Sequence, residues 1–210
     1  MYTLYYAPGA ASLAVHWLLL ELGHQPEMRL LDFQARQQKS ADYLALNPAG
    51  VVPTLVIDGE PMSEVGAILM YLADTHPDAG FAPSPGDPLR RAHYQWMFHL
   101  ANAVQPLLRM WWYPWEPAGK ENEGATREQV QAMLEAAWQR IDAHLAANGP
   151  YLLGDRVSTS DFHLTMLMRW ARNTRKPATE WPQLAAHARR MKARPAFATM
   201  SEREGLAGWD

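Results

Sequence analysis

The sequence predicts an α/β domain followed by an all-α domain. Strand and helix signals alternate as β-α-β-α-β-β-α over the first 75 or so residues, a proline-rich stretch comes next, and beyond it the strand signals vanish.

Thr3 to Tyr6 is aromatic and β-branched enough for a strand, and Pro8-Gly9 stops it. Leu13, Trp17, Leu18 and Leu20 then recur at helical spacing until Gly23, which describes an amphipathic helix. Ser12 falls at or beside its N-cap. A helix start offers unpaired N–H groups and the positive end of a macrodipole, so it attracts anions, and Tyr6 brings a hydroxyl to the same corner. The plainer alternative is that Ser12 only caps and Tyr6 only packs. Met28 to Leu31 reads as a second strand, Gln34 to Lys39 as a loop and Asp42 to Leu46 as a short helix closed by Asn47-Pro48-Ala49-Gly50.

The third strand starts at Thr54, because Pro53 cannot donate to a ladder. A cis Val52-Pro53 bond would turn the Val52 backbone outward, free to pair with an extended peptide ligand. Asp58-Gly59 marks a hairpin to a short strand, Glu60 to Met62. Ser63 reads as the N-cap of a helix running through Asp74. Glu64 then places a carboxylate in the first turn, either for a ligand or as an exposed acid matched to the dipole.

These signals divide the chain into a domain at 1–76, a linker at 77–87 and a helical domain at 88–210. Pro77 to Pro88 holds four prolines. Asp87-Pro88 starts a long helix to about Met110. Thr126 with Gln129 has capping-box spacing before a second long helix ending at Asn148-Gly149. Ser158 with Asp161, flanked by Val157 and Phe162, is a better capping box with a hydrophobic staple, and it opens a very apolar helix to about Trp170. Trp181-Pro182 and Arg194-Pro195 precede further helices. Trp111-Trp112-Tyr113-Pro114-Trp115 puts four aromatics at a helix end, as core, as an apolar pocket or as a partner-binding patch.

Hydrophobic residues at 48% and charged residues at 20% describe a folded protein. A net charge of −3 gives no footprint for nucleic acid or an anionic membrane. No signal peptide or bilayer-length apolar run is visible, so a cytoplasmic location is expected. With no cysteine, disulfides, thiolate metal sites and a protein-borne thiol nucleophile are excluded together, and thiol chemistry has to use a ligand's sulfur. The eight histidines form no HExxH, and His93 and His99 lie six apart, off a common helix face, so no metal is expected.

The order of elements, the Val-Pro before the third strand, the acid at the next helix start and the Ser-x-x-Asp box together resemble the cytosolic glutathione S-transferases. YYAPGAAS followed by LAVHW, NPAGVVPTL, SEVGAILMYLAD and GDRVSTSDF are most similar to the bacterial beta class. The resemblance implies a thioredoxin-like N-terminal domain that binds glutathione as co-substrate, a helical C-terminal domain that shapes a site for a small hydrophobic electrophile, and a homodimer. It also implies that Val52 before a cis Pro53 pairs with the cysteine moiety of glutathione. Glu64 and Val65 would hold the γ-glutamyl end, Arg36 would lie near the glycine carboxylate, and Asn102 would reach the partner's ligand. Asp161 would be a structural capping acid.

The departures bear on mechanism. The beta class has a cysteine where this chain has Ala11, a histidine and a lysine where it has Gln105 and Pro106, and often serine or glycine where it has Val65. Mixed-disulfide chemistry through a protein cysteine is therefore excluded. Ser12 is the first candidate to activate the thiol of glutathione and Tyr6 the second, with Trp111, Trp112, Tyr113 and Trp115 near the electrophile. Lowering a thiol pKa by two units from about 8.5 needs about 2.7 kcal/mol, within reach of one charge-assisted hydrogen bond plus a helix start. A non-catalytic, protein-binding relative of these enzymes is the main alternative. Glutathione-dependent peroxidase or isomerase activity is a further one, although the serine-cysteine-rich start of the maleylacetoacetate isomerases is not seen.

Overall fold

The computed structural model describes residues 1–207 and Trp209. Four strands, β1 (Tyr2–Tyr6), β2 (Glu27–Leu30), β3 (Thr54–Ile57) and β4 (Glu60–Ser63), form one mixed sheet in the order β2-β1-β3-β4. β1 runs parallel to β2 and antiparallel to β3, and β3 pairs antiparallel with β4. Asp58 and Gly59 both have positive φ, 50° and 97°, as a tight hairpin matched to strand twist requires. Pro61 is tolerated because β4 lies at the sheet edge.

Helices α1 (Ser12–Glu21), α2 (Ala41–Leu46) and α3 (Val65–Thr75) complete the βαβαββα order read from the sequence. The structure differs at α1, where every residue from Ser12 to Leu19 is buried, so the helix is enclosed rather than amphipathic. The cause comes from far along the chain. The last helix, Pro195–Arg203, packs on α1, with Phe197 edge-on to Trp17 at 5.0 Å and Arg194 forked onto both oxygens of Glu21 at 2.7 Å. Residues 193–207, read from the sequence as the end of the helical domain, accordingly group with residues 1–80 in one compact unit.

The second unit, Phe81–Lys192 with Trp209, is helical. It holds α4 (Arg90–His99), α5 (Gln105–Trp112), α6 (Trp115–Ala118), α7 (Glu123–Asn148), α8 (Thr159–Trp170) and α9 (Pro182–Lys192), which makes Pro195–Arg203 α10. A π-turn, Leu100–Val104, joins α4 to α5. Pro106 has no N–H to offer the carbonyl of Asn102, so the helix widens just before it. Thr126 lies inside α7 instead of capping it, because Gly119 and the turn Lys120–Asn122 already wind the chain upstream. The Ser158–Asp161 capping box is present, and residues 159–169 of α8 are all buried. No helix among the described residues is long and apolar enough to cross a membrane.

Candidate active site

Strand register brings the first unit's candidate residues to one end of the sheet. Tyr6 pairs with Leu30, Tyr5 with Thr54 and Thr54 with Ser63. The chain therefore leaves β1 into the corner 7–12, leaves β2 toward Arg36, enters β3 through Val52-Pro53 and leaves β4 into Glu64, all at that end.

The corner is wound before the helix begins. Ala10 N–H bonds to the Ala7 carbonyl and Leu13 N–H to that of Ala10, both at 3.0 Å, and Ala11 already has helical dihedrals. Ala11 is consequently the N-cap, and Ser12 is the first helical residue. Its hydroxyl does not cap. It folds back onto Ala7, 3.3 Å from both the N–H and the carbonyl oxygen, and Ser12 is fully buried. Among the described residues, the N–H groups of Ala11 and Ser12 have no hydrogen-bond partner. Tyr6 is half-buried, its ring 6.5 Å from that of His16, and its hydroxyl bonds to no described residue.

Val52-Pro53 is cis. The loop before it is fixed by residues the sequence reading did not single out. The Val51 carbonyl accepts from the Tyr43 hydroxyl at 2.6 Å and from Asn47 Nδ2 at 2.9 Å, and both side chains also meet Thr54 Oγ1, at 2.7 and 3.1 Å. Burial raises the Tyr43 phenol pKa, which keeps it a donor. In a trans peptide the C=O and N–H point oppositely, so fixing the Val51 carbonyl inward turns the Val52 N–H away from this network. Neither Val52 N–H nor its carbonyl bonds within the described residues. The side chain of Val52 is buried with Ala7, Leu31 and Tyr43, against Tyr5, Ala10 and Leu46. The Asn47-Pro48 turn was the one sequence signal for this support.

Glu64, not Ser63, is the N-cap of α3. Ser63 stays in β4, held by its pairing with Thr54. Glu64 has φ 70° and ψ 107°, a conformation costing a non-glycine residue about 1–3 kcal/mol, and its side chain is exposed and makes no capping bond. Val65 beside it is buried. Arg36 also has positive φ, 56°, and is exposed before the turn Gln37–Lys39.

In the second unit the aromatic run is half-exposed and arginine-backed. Trp112 Nε1 donates to the Trp170 carbonyl at 3.1 Å, and Trp111 lies edge-on to Trp112. Tyr113 lies edge-on to Trp115, and both are about two-fifths exposed. Arg109, Arg127 and Arg172 sit over Tyr113, Trp111 and Trp112 at 5.0, 5.7 and 5.8 Å. Trp111 also borders a cavity of about 260 Å³ with Arg127, Gln131 and Arg175. Asn102 is exposed within the π-turn. Gln105 Oε1 accepts from Nε2 of His163 at 2.7 Å, and complete burial drives that imidazole's pKa down to about 3, so it is neutral. No group of three or more metal-binding side chains occurs among the described residues.

Comparison with known proteins bears on the chain at almost full length. Residues 1–74 match the glutathione S-transferase N-terminal domain, and residues 102–202 match the glutathione S-transferase C-terminal domain. A glutathione S-transferase, GST-4.5, of Xanthomonas campestris pv. campestris is 34% identical over 97% of this chain and 98% of its own length. A maleylacetoacetate isomerase of Rhizobium meliloti is 31% identical over 80% of this chain and 79% of its own. Among solved structures, a glutathione transferase from Methylococcus capsulatus str. Bath superposes with a TM-score of 0.88 at 32% identity, covering 99% of this chain and 100% of that one. A sphingomonad glutathione S-transferase complexed with glutathione gives 0.84 at 29% identity, covering 98% and 100%.

Proposed function

The chain belongs to the glutathione S-transferase family, and on that premise we propose that it conjugates the thiolate of glutathione to a small hydrophobic electrophile. The observation that carries this reading is the set of backbone groups at one end of the sheet that bond to none of the described residues: the Ala11 N–H at a helix start, and the Val52 N–H and C=O. Donors fixed in advance stabilise a developing or resting anion without reorganising. The Val52 pair is suited to the cysteine backbone of an extended tripeptide.

In this reading the sulfur sits at the start of α1. With Ala11 in place of a thiol, the only sulfur nucleophile is the substrate's own. Ala11 at the N-cap contributes its N–H, while Ser12, fully buried, holds Ala7 through its hydroxyl. Tyr6 has the hydroxyl better placed to donate to a thiolate, being half-exposed and unengaged. Glu64, whose strained backbone presents it at a helix start, holds the γ-glutamyl amine with the Val65 N–H, and Arg36 meets the glycine carboxylate. Tyr113 and Trp115 offer exposed aromatic faces to the electrophile, beside Trp111 and Trp112. A homodimer is supported by Tyr94 and Phe98, exposed one helical turn apart on α4, with Asn102 a further four residues on.

Turnover of an aryl halide such as chlorodinitrobenzene, with the ultraviolet titration of bound glutathione's thiolate, tests this. Tyr6→Phe is expected to lower kcat about tenfold and raise the bound thiol pKa by about one unit, with Ser12→Ala moving it by less. The reverse pattern would return the role to the Ser12 hydroxyl, and absence of glutathione binding at millimolar concentration would end the reading. The isomerase relative supports a second activity on the same thiolate, in which the sulfur adds to an unsaturated diketo acid and leaves again after bond rotation. Turnover of maleylacetoacetate without consumption of glutathione distinguishes it.

A further inference from the structure

We propose that Glu204 is a positioning residue for the thiol site, acting through the Gly9 turn. Glu204 lies at the C-terminal end of α10, 195 residues from Gly9, yet its Oε2 accepts the Gly9 N–H at 2.8 Å. Its other oxygen, Oε1, meets Nδ1 of His16 at 2.9 Å, and the two side chains are 0% and 1% exposed. His16 stands one turn along α1 from Ser12. Its Nε2 is buried with no partner among the described residues.

A buried carboxylate is expensive to desolvate, and replacing a buried ion pair by apolar groups is often neutral or stabilising. Holding α10 against α1 is already served by Trp17, Phe197 and the Arg194–Glu21 fork. What an apolar pair cannot do is accept the Gly9 N–H. Gly9 has φ 68°, and the chain runs from it through Ala10, whose N–H is taken by the Ala7 carbonyl, to Ala11, whose N–H has no partner among the described residues. Ser12 fixes the turn from one side through Ala7, and Glu204 fixes it from the other through Gly9. With both in place, the Ala11 donor has one direction.

This inference rests on the reading that the glutathione sulfur sits at the Ala11 N–H, and the test separates the two. Glu204→Gln retains an acceptor for Gly9 and can donate to Nδ1 of His16 in its other tautomer, whereas Glu204→Met retains neither bond. Kinetics with glutathione and chlorodinitrobenzene, the bound thiol pKa and thermal stability are measured for both. The methionine variant is expected to lose about tenfold in kcat with KM for the aryl halide unchanged, and to raise the thiol pKa by about one unit. The glutamine variant is expected to stay within about threefold of wild type. A folded methionine variant with wild-type kcat and thiol pKa, whatever its stability, overturns the proposal and leaves Glu204 a structural residue. Should that variant fail to fold, Glu204→Asp keeps the charge but is one methylene too short to span both partners. It is expected to show the same loss, and wild-type values there overturn the proposal equally. If wild type binds glutathione but turns over no electrophile, the conjugation reading fails while the thiol pKa still decides the role of Glu204. If it binds no glutathione, both fail.

Discussion

Two helix starts in this protein begin with similar sequence material and end in opposite conditions. At α8, Asp161 accepts from Ser158 N–H at 2.8 Å, from Ser158 Oγ and Leu152 N–H at 3.0 Å, and from Nε2 of His187 at 3.0 Å, all in the buried interior. At α1, Ser12 turns its hydroxyl away, and the Ala11 N–H at the cap has no partner among the described residues. A sealed start contributes to folding and has nothing left for a ligand. An open start contributes less to stability and retains donors and dipole for an anion.

The largest effect should come from unsealing α8. Asp161→Ala strands Ser158, Leu152 and His187 in the interior, at a cost of about 3–5 kcal/mol. A fall in melting temperature of about 10 °C is expected, with the bound thiol pKa unchanged in protein that remains folded. A melting temperature within a degree or two of wild type would mean that the box does not set the stability of α8.

A pH titration probes the same sealed helix. His163 is fully buried and held neutral down to about pH 3, whereas in the unfolded chain it titrates near 6.5. Between those values the unfolded chain takes up a proton that the folded one refuses. Its contribution is therefore intact above about pH 6.5 and is lost as pH falls, reaching about 3 kcal/mol by pH 4. Denaturant unfolding of wild type and His163→Leu should diverge over that range, with the variant flatter, and parallel curves would assign the acid sensitivity elsewhere.

The smallest effect should come from an ordinary exposed cap. Ser40 Oγ accepts the Tyr43 N–H at 3.3 Å at the start of α2. Ser40→Ala should cost about 0.5–1 kcal/mol by denaturant titration. A loss matching that of Asp161→Ala would refute the view that burial, not cap chemistry, sets the difference between these helix starts.

Much of this was legible in the residues. The element order, the hairpin at Asp58-Gly59, the box at Ser158–Asp161 and the proline boundaries follow from local spacing, which a sequence displays directly. Helix starts were less secure. Thr126 has capping spacing yet lies inside α7, and Ser63 is a good N-cap that strand pairing retains in β4. The positive φ of Glu64 and the Tyr43–Asn47–Thr54 support under Val51 had no local signal strong enough to single them out.

The sequence by itself determined that this chain has a strand-turn-helix corner at residues 5–12 and no thiol of its own, because residue type, turn chemistry and periodicity are local properties. Only the tertiary structure decided that α1 is enclosed, that the Ser12 hydroxyl faces Ala7, and that a carboxylate from Glu204 closes on Gly9. Those depend on which distant helix covers a surface, since burial fixes which polar atoms must find partners inside and which are left for a ligand.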